Sequence, residues 1–157
     1  MRSTIRIAAA TLTIVALASC TPEAPTGPAQ DIATVTFASS LGVNLATMTK
    51  TTSGAYYQDS PAGSGVSAAT GNHLTVNYTG YLTSGSTFDT SVGKTPFGFT
   101  LGQGQVITGW DEGLVGLKVG GTRKLVIPAV LGYGGASVGS IPANSILVFN
   151  VTLISIP

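Results

Sequence analysis

The stretch of sequence that decides the fold lies near the middle of the chain and reads Val106-Ile107-Thr108-Gly109-Trp110-Asp111-Glu112-Gly113-Leu114. Thr108 and, three residues later, Asp111 have the spacing of a capping box, the pattern with which many helices begin. Acidic side chains in the first turn also interact favourably with the positive end of the helix dipole. Three apolar residues recur at helical spacing and share one face: Trp110, Leu114 and Leu117. The stretch therefore predicts a short amphipathic helix that needs an apolar surface to pack against.

Strand patterns lie on both sides of this helix. Apolar and polar residues alternate, as they do in half-buried strands, in four segments: 74–78, 97–101, 125–127 and 147–153. A weaker fifth segment at 55–58 is followed at 60–65 by Ser, Pro, Ala and Gly, a composition typical of turns. A helix laid across an antiparallel sheet is an α+β arrangement. We therefore expect one α+β domain over residues 52–157, preceded by an extension at 31–51 that shows no clear period.

The N-terminus has the composition of a secretion signal. Arg2 and Arg6 are followed by an apolar run at 7–18 that is too short to span a bilayer stably. The run ends in four residues that resemble a lipobox, where a signal is cut and the new N-terminal cysteine is acylated: Leu17-Ala18-Ser19-Cys20. We predict a signal peptide at 1–19 and a lipid anchor at Cys20. The alternative is ordinary secretion in which Cys20 has no role.

The residues after this cysteine form a predicted tether. Pro22, Pro25 and Pro28 lie in the segment 20–30, which has almost no bulky apolar side chain and cannot bury enough surface to fold. An extended segment of this length would reach roughly 30 Å from the membrane. The N-terminal features together predict a cell-envelope protein, lipid-anchored to a membrane and facing the periplasm or the exterior.

Charge and cysteine content exclude several classes of function. Without Arg2 and Arg6 the remaining chain carries five basic and six acidic residues, so it lacks the basic patch that nucleic-acid binding requires. Cys20 is the only cysteine, which excludes an internal disulfide, a CxxC redox pair and a thiolate metal cluster. Neither a metal nor a cofactor is predicted. The remaining cluster of positive charges is interpreted as a solvated strand edge: Lys118, Arg123 and Lys124.

Searches for familiar catalytic motifs find little. His73 is the only histidine, and a surface role is favoured because no catalytic partner motif accompanies it. A dispersed Ser-His-Asp triad stays open, but the chain has no Gly-x-Ser-x-Gly elbow. Residues 116–122 resemble a P-loop except that Thr122 replaces the lysine. Residues 102–107 begin a dinucleotide fingerprint, but Ile107 replaces its third glycine, so neither segment predicts a phosphate site.

Aromatic and aliphatic residues framed by glycines are the sequence's distinctive feature. They fall in blocks at 77–82 (NYTGYL), 87–91 (TFDTS), 96–99 (PFGF), 106–114 (VITGWDEGL), 127–134 (IPAVLGYG) and 141–145 (IPANS). In this order the blocks resemble the signature of FKBP-type (immunophilin) peptidyl-prolyl cis-trans isomerases. Residues 147–153 (LVFNVTL) are similar to the last strand of that family. Agreement at so many dispersed blocks is far more specific than any single short motif.

The resemblance implies a fold and a site. The fold would be an antiparallel sheet of five to six strands wrapped around one short helix, with an apolar cleft between them. The cleft would be formed by nine catalytic residues: Tyr78, Phe88, Asp89, Phe99, Val106, Ile107, Trp110, Tyr133 and Phe149. Two substrate-binding residues would lie nearby: Phe97 and Ile141. Trp110 would form the floor, the Ile107 N–H and the Tyr133 hydroxyl would bind ligand carbonyls, and Asp89 would lie beside the prolyl group.

The implied reaction suits such a site. Rotation about an X–Pro bond breaks no covalent bond but must cross a barrier of about 20 kcal/mol, because the twisted amide loses its resonance. A dry apolar pocket disfavours the more polar planar amide relative to the twisted one, so no nucleophile is needed. The implied partners are X-Pro-containing client proteins, whose folding the enzyme would assist, and macrolide inhibitors such as tacrolimus.

The sequence departs from the family pattern at two loops and leaves alternatives open. Segments 92–95 and 135–140 are shorter than in the small family members, and both border the cleft. By period alone, ordinary core packing accounts for four of the aromatic residues: Tyr78, Phe99, Trp110 and Phe149. The alternative functions are a non-catalytic module that holds Pro-containing segments, as a chaperone or surface adaptor, and an adhesion domain of β-sandwich type without a cleft.

Overall fold

The structure is a computed structural model that describes residues 30–157. It contains seven strands and one α-helix: β1 (Thr49–Lys50), β2 (Tyr56–Asp59), β3 (His73–Leu82), β4 (Thr87–Thr90), β5 (Phe97–Thr100), α1 (Thr108–Gly113), β6 (Thr122–Ile127) and β7 (Leu147–Ser155). Short 3-10 helices lie at Ser39–Leu41, Leu45–Thr47 and Ala129–Leu131. The described strands join in one antiparallel sheet of order β1-β2-β6-β7-β3-β4, with β5 paired to β3. The α+β prediction is therefore confirmed, and the β-sandwich alternative is wrong.

The sheet has seven strands rather than the five to six expected. The four predicted strands and the weaker fifth correspond to β3, β5, β6, β7 and β2. The two additional strands are short. β4 pairs with β3, and the two-residue β1 pairs with β2, where Thr49 lies opposite Tyr57. β1 lies within the extension at 31–51, so this extension contributes to the sheet.

The long strands β3 and β7 divide their side chains between two faces. Their register places Tyr78 opposite Val151 and Gly80 opposite Phe149. Because side chains alternate along a strand, β7 sends Phe149 and Val151 to the face that carries α1 and Val148 to the other face. We call these the inner and outer faces of the sheet.

Helix α1 lies against the inner face. Trp110 of α1 is 4 % exposed and Leu114 and Leu117 are fully buried, but the helix ends at Gly113, so two of the three residues of the predicted stripe lie beyond it. Gly109 lets the helix approach the sheet closely, because a Cβ at this position would lie 2.5 Å from Cγ2 of Ile127. A short helix with two glycines has little intrinsic stability, so this packing must hold it.

The predicted capping box is wrong. The helix has Ile107 as its N-cap, and no side chain caps it. Thr108 is the first helical residue and is exposed. The Asp111 carboxylate accepts hydrogen bonds from a neighbouring loop instead, from the backbone N–H groups of Gly102 and Gly104.

The predicted solvated strand edge is also wrong for Arg123. β6 has a neighbour on each side, and Arg123 is only 3 % exposed on the inner face. Its Nε lies 2.6 Å from Oδ1 of Asp59, and its Nη2 donates to Oδ2 of the same carboxylate over 2.8 Å. The Lys124 Nζ donates to the backbone carbonyls of Leu41 and Gly42. Lys118 alone is exposed as expected.

The segment before β1 covers part of the outer face. Its buried residues pack with outward-facing side chains of the sheet in a second hydrophobic cluster: Ile32, Leu41, Met48, Val126, Ile146 and Val148. A backbone hydrogen bond of 2.8 Å from the Ala38 N–H to the Thr83 carbonyl joins the segment to the end of β3. The extension is thus an ordered part of the domain.

The predicted signal peptide at 1–19, the lipid anchor at Cys20 and nearly all of the tether at 20–30 lie outside the described residues. Within 30–157, no helix has the length and apolarity that a bilayer span requires.

Candidate functional site

A cavity of about 180 Å³ opens between the inner face of the sheet, helix α1 and two loops. Ten residues line it: Tyr78, Phe88, Asp89, Phe97, Gln105, Val106, Ile107, Trp110, Tyr133 and Phe149. They come from four strands (β3, β4, β5 and β7), from helix α1, and from the loops that follow β5 and β6. Chain segments far apart in sequence therefore build one site.

The floor of the cavity is the indole of Trp110. Its ring meets those of Tyr78 and Phe149 edge to face, with centroid distances of 5.2 and 5.3 Å. Edge-to-face contacts are the favourable arrangement of aromatic quadrupoles, and they fix the rings relative to one another. The wall is therefore rigid and apolar before any ligand enters.

A second ring pair closes one side of the cavity. Phe88 on β4 and Phe149 on β7 meet at 5.5 Å, almost perpendicular to each other. They meet across Gly80 of β3, where a Cβ would lie 2.5 Å from Cζ of Phe88 and 2.8 Å from Cε1 of Phe149. The glycine of the Tyr78-Thr79-Gly80 block is therefore needed so that the two rings can touch.

One polar pair lies in the otherwise apolar wall. The Tyr78 hydroxyl donates a short hydrogen bond to Oδ2 of Asp89, and Oδ1 of Asp89 accepts from the Thr90 N–H over 2.8 Å. Burial, and then the hydrogen bond to Asp89, raise the pKa of Tyr78 to about 12. Tyr78 is therefore a neutral donor at physiological pH, and it orients the Asp89 carboxylate at the edge of the cavity.

Ile107 contributes both its side chain and its backbone. It is the N-cap of α1, with an extended backbone at φ −61° and ψ 147°. Its carbonyl accepts from Trp110 N at 2.9 Å and from Asp111 N at 3.2 Å. The first N–H groups of a helix have no partner within the helix, so the Ile107 N–H is not used by the helical ladder.

Tyr133 lines the cavity and is 38 % exposed. It follows the 3-10 helix Ala129–Leu131, and Gly134 N donates back to Ala129 O over 2.8 Å. Asn144 N donates to Gly134 O, also at 2.8 Å, so the turn is fixed on both sides. An exposed aromatic ring on a well-anchored turn is typical of a binding residue.

The structure brings together eight of the nine residues predicted to form the cleft; Phe99 lies beneath it. Phe99 is 2 % exposed and packs against Trp110 at a centroid distance of 5.6 Å, so it supports the floor. Phe97 lines the cavity as predicted, whereas Ile141 is buried in the main core cluster and is not a lining residue. Cys20 lies outside the described residues.

Gln105 is a lining residue that the sequence reasoning missed. Its Oε1 accepts a hydrogen bond of 2.8 Å from the Thr100 N–H. A polar residue beside the apolar Val106-Ile107 pair carries no periodic signal, so only its place next to that block could have suggested it.

The described residues offer little for other chemistries. Among them, no group of three or more His, Cys, Asp or Glu side chains could hold a metal ion. His73 is exposed at the start of β3, and its Nδ1 lies 3.4 Å from the Thr100 hydroxyl. What remains is a mainly aromatic pocket with a few hydrogen-bonding groups, which suits binding of a small apolar ring next to peptide groups.

Comparison with known proteins agrees with this geometry. A family sequence model described as FKBP-type peptidyl-prolyl cis-trans isomerase matches residues 65–154, more than half of the chain. The chain belongs to this family. The match begins after β2 and ends within β7, so it includes every residue that lines the cavity.

Individual proteins with similar sequences support the family match. The FK506-binding protein of Neisseria meningitidis serogroup B is 46 % identical over 105 residues, which are 66 % of this chain and 96 % of that protein. FK506-binding protein 4 of Mycosarcoma maydis is also 46 % identical, over 70 % of this chain but only 29 % of its own length. The chain spans less than a third of the length of the relatives called FK506-binding protein 4.

Solved structures agree with the fold. FkpA from Escherichia coli is 43 % identical, with a TM-score of 0.64 over 69 % of this chain and 51 % of that one. AtFKBP13 is 32 % identical, with a TM-score of 0.66 over 70 % of this chain and 98 % of that one. The fold of this chain is thus similar to the folds of these two solved structures.

Proposed function

We propose that this protein is a peptidyl-prolyl cis-trans isomerase that acts on X–Pro bonds of extracytoplasmic proteins and assists their folding. The observation that carries the proposal is the cavity of about 180 Å³ floored by Trp110 and walled by aromatic rings. Membership of the FKBP-type family supports the same reaction.

The site can lower the rotational barrier without a nucleophile. A proline ring on the Trp110 floor would leave its preceding amide in a water-poor pocket, where the twisted, less polar amide is favoured relative to the planar one. In this proposal the Ile107 N–H and the Tyr133 hydroxyl hold the flanking carbonyls in the twisted geometry, as the resemblance to the family implies. Each 1.36 kcal/mol by which the twisted state is preferentially stabilised accelerates rotation by about tenfold.

Asp89 is proposed to act through its position beside the prolyl group. Its carboxylate is held by the Tyr78 hydroxyl and the Thr90 N–H, so it cannot swing away from the cavity edge without losing both bonds. Asp89 is exposed, so solvent screens its charge, and what the two hydrogen bonds supply is a fixed orientation of the carboxylate towards the amide dipole.

The test is an assay of X–Pro isomerisation with the full-length protein, using a short peptide and a protein whose refolding is limited by proline isomerisation. We expect acceleration by the wild type and a reduced rate for Asp89→Val and Tyr133→Phe, with all three proteins folded. A folded wild type that gives no acceleration over buffer would leave the second reading, a non-catalytic module that holds Pro-containing segments as a chaperone or surface adaptor.

Macrolide binding is part of the proposal. FK506 appears in the names of the relatives, and the aromatic cavity of about 180 Å³ could take one small ring of such a ligand while the rest of the macrolide lies outside it. Titration of the protein with tacrolimus, read by Trp110 fluorescence, tests this. Because Trp110 is the only tryptophan in the chain, the signal reports directly on the floor of the cavity.

We also propose that the protein is held at a membrane of the cell envelope by lipid on Cys20 and faces the periplasm or exterior. The lipobox-like sequence before Cys20 and the Pro-rich segment after it support this location. Labelled palmitate should enter the wild type and not Cys20→Ala, and globomycin should cause the unprocessed form to accumulate. An unlabelled wild type would refute the anchor and leave the isomerase proposal untouched.

A further inference from the structure

The loop that presents Val106 and Ile107 to the cavity is fixed by a carboxylate outside the cavity. The loop leaves β5 at Thr100 and enters α1 at Thr108. Asp111, on the first turns of α1, reaches back across it. Its Oδ1 accepts from Gly102 N over 2.8 Å, and its Oδ2 accepts from Gly104 N over 2.9 Å.

Each carboxylate oxygen thus has its own backbone donor. Hydrogen bonds from backbone N–H groups to a charged carboxylate are among the stronger ones in proteins. Together the two bonds fix the middle of the loop relative to the helix. Asp111 N also donates to Ile107 O, so the same residue is bonded to the loop at three places.

The first end of the loop is held by other groups. Leu101 is fully buried, its N–H donates to Asn72 O over 2.9 Å, and its carbonyl accepts from Gly71 N over 2.8 Å. Gln105 Oε1 accepts from Thr100 N. Between Leu101 and Val106 the residues are exposed, so burial contributes little there and Asp111 supplies the main restraint.

We propose that Asp111 is a positioning residue of the cleft: its carboxylate holds the 102–104 loop so that the Val106 side chain and the Ile107 N–H stay in place for a prolyl substrate. This inference rests on the proposed isomerase function. Asp111 itself is not a lining residue of the cavity, so its effect must be exerted through the loop.

The chain offers a matched control in the next residue. Glu112 has the same charge and also lies in α1, but its carboxylate accepts a short hydrogen bond from the Ser53 hydroxyl, away from the loop. Replacing either residue by alanine removes one negative charge from the same helix. Only the Asp111 change removes the acceptors of Gly102 and Gly104.

The experiment compares full-length wild type, Asp111→Ala, Asp111→Asn, Asp111→Glu and Glu112→Ala. We expect Asp111→Ala to lower kcat/KM for an Ala-Pro peptide about tenfold, because the population of the competent loop falls. Asp111→Asn keeps the shape but only one acceptor oxygen and should lie between wild type and alanine. Asp111→Glu keeps both acceptors and should recover most of the rate, and Glu112→Ala should stay within about twofold of wild type.

A second readout follows the loop directly. Amide hydrogen exchange at Gly102 and Gly104 should accelerate in Asp111→Ala and Asp111→Asn but not in Glu112→Ala. Unchanged exchange in Asp111→Ala, or equal losses of rate in Asp111→Ala and Glu112→Ala, would overturn the positioning role. A wild type without isomerase activity would instead overturn the proposed function, whatever the exchange data show about the loop.

Discussion

The same strands form both faces of the sheet, but the two faces have different roles. β7 sends Phe149 to the inner face and Val148 to the outer one, and both are almost fully buried. On the outer face a continuous segment at 32–48 packs aliphatic side chains against the sheet. On the inner face a helix of six residues covers only part of the aromatic surface and leaves the cavity at one end.

The difference teaches that the binding cavity forms where the chain packed on the sheet ends: the extension covers the outer face, whereas α1 leaves part of the inner face open. Trp110 of α1 meets Tyr78 and Phe149 of the sheet edge to face, so these rings support one another beside the cavity. The outer face carries Tyr56 and Tyr81 as well as aliphatic side chains, and the extension packs against this face. We therefore expect changes on the outer face to alter stability and changes near the cavity to alter activity.

The largest effect on stability is expected at the inner face away from the cavity. Arg123→Ala should lower the free energy of unfolding by about 3–5 kcal/mol, because it leaves Asp59 without its partner in a largely buried setting. It also removes the two hydrogen bonds of 2.8 Å that Arg123 Nη1 donates to the carbonyl oxygens of Gly113 and Val115. Urea denaturation measures the loss.

The double variant Arg123→Met with Asp59→Leu is the control for this ion pair. Replacing both charges by apolar groups should recover much of the lost stability. A loss below about 1 kcal/mol in the single variant would mean that the pair behaves like an exposed one.

A change in the outer cluster should separate stability from activity. Leu41 of the extension is 6 % exposed against the outer face, and Leu41→Ala should cost about 2–3 kcal/mol through the cavity it leaves. The rate of X–Pro isomerisation by the folded protein should not change. Val66→Ala is the matched control, since Val66 is 70 % exposed and its truncation should cost less than about 0.5 kcal/mol. If Leu41→Ala raises the activation free energy of isomerisation by as much as it lowers the free energy of unfolding, the two faces are coupled and the comparison fails.

The Tyr78–Asp89 bond gives a smaller effect with a pH signature. Tyr78→Phe should cost about 1–2 kcal/mol at neutral pH through loss of the hydrogen bond to a charged acceptor. Because the pKa of Tyr78 is raised from 10.0 to about 12, its contribution is fully present below pH 10 and is lost as pH rises towards 12. The stability difference between wild type and variant should therefore narrow over this window.

Denaturation at a series of pH values measures this difference. Tyr81→Phe, on the outer face, should keep the alkaline loss seen in the wild type because Tyr78 is intact. A wild-type minus Tyr78→Phe difference that is flat from pH 9 to pH 12 would contradict the assigned shift.

The smallest effect is expected on the polar part of the outer face. Thr122 and Thr152 lie opposite each other on β6 and β7, with their hydroxyls 2.8 Å apart. Thr152→Val should change the free energy of unfolding by about 0.5 kcal/mol and leave activity unchanged, as cross-strand pairs of this kind contribute little. A decrease of more than about 2 kcal/mol in the free energy of unfolding would show that the Thr122–Thr152 pair stabilises the sheet far more than a cross-strand pair ordinarily does.

The parts of the fold that follow from local patterns were predicted well. Alternation identified β3 and β7, and helical spacing identified α1 and the burial of Trp110, Leu114 and Leu117, although the last two lie beyond the end of the helix at Gly113. The short strands β1 and β4 were not predicted as strands, because two to four residues do not establish a period. Arg123 was misread for a related reason, since nothing local marks β6 as a strand with neighbours on both sides.

The site was predictable only because the blocks resemble a known family. Period alone favoured packing for Tyr78 and Phe149, and both are indeed packed while also lining the cavity. Asp111 shows the limit of local reasoning. Its spacing from Thr108 predicted a cap, but two loop N–H groups reach the carboxylate instead, which requires the tertiary arrangement of loop and helix.

The amino-acid sequence by itself determined where the long strands and the helix lie, that Trp110, Leu114 and Leu117 are buried, and which chemistries lack their side chains. Those properties depend on spacing along the chain, which is local. The tertiary structure alone decided that the outer face is closed by the extension, that Arg123 is buried against Asp59, and that the aromatic rings leave an opening at one end of α1. These depend on pairings between residues far apart in sequence, and no local pattern encodes the distance between them.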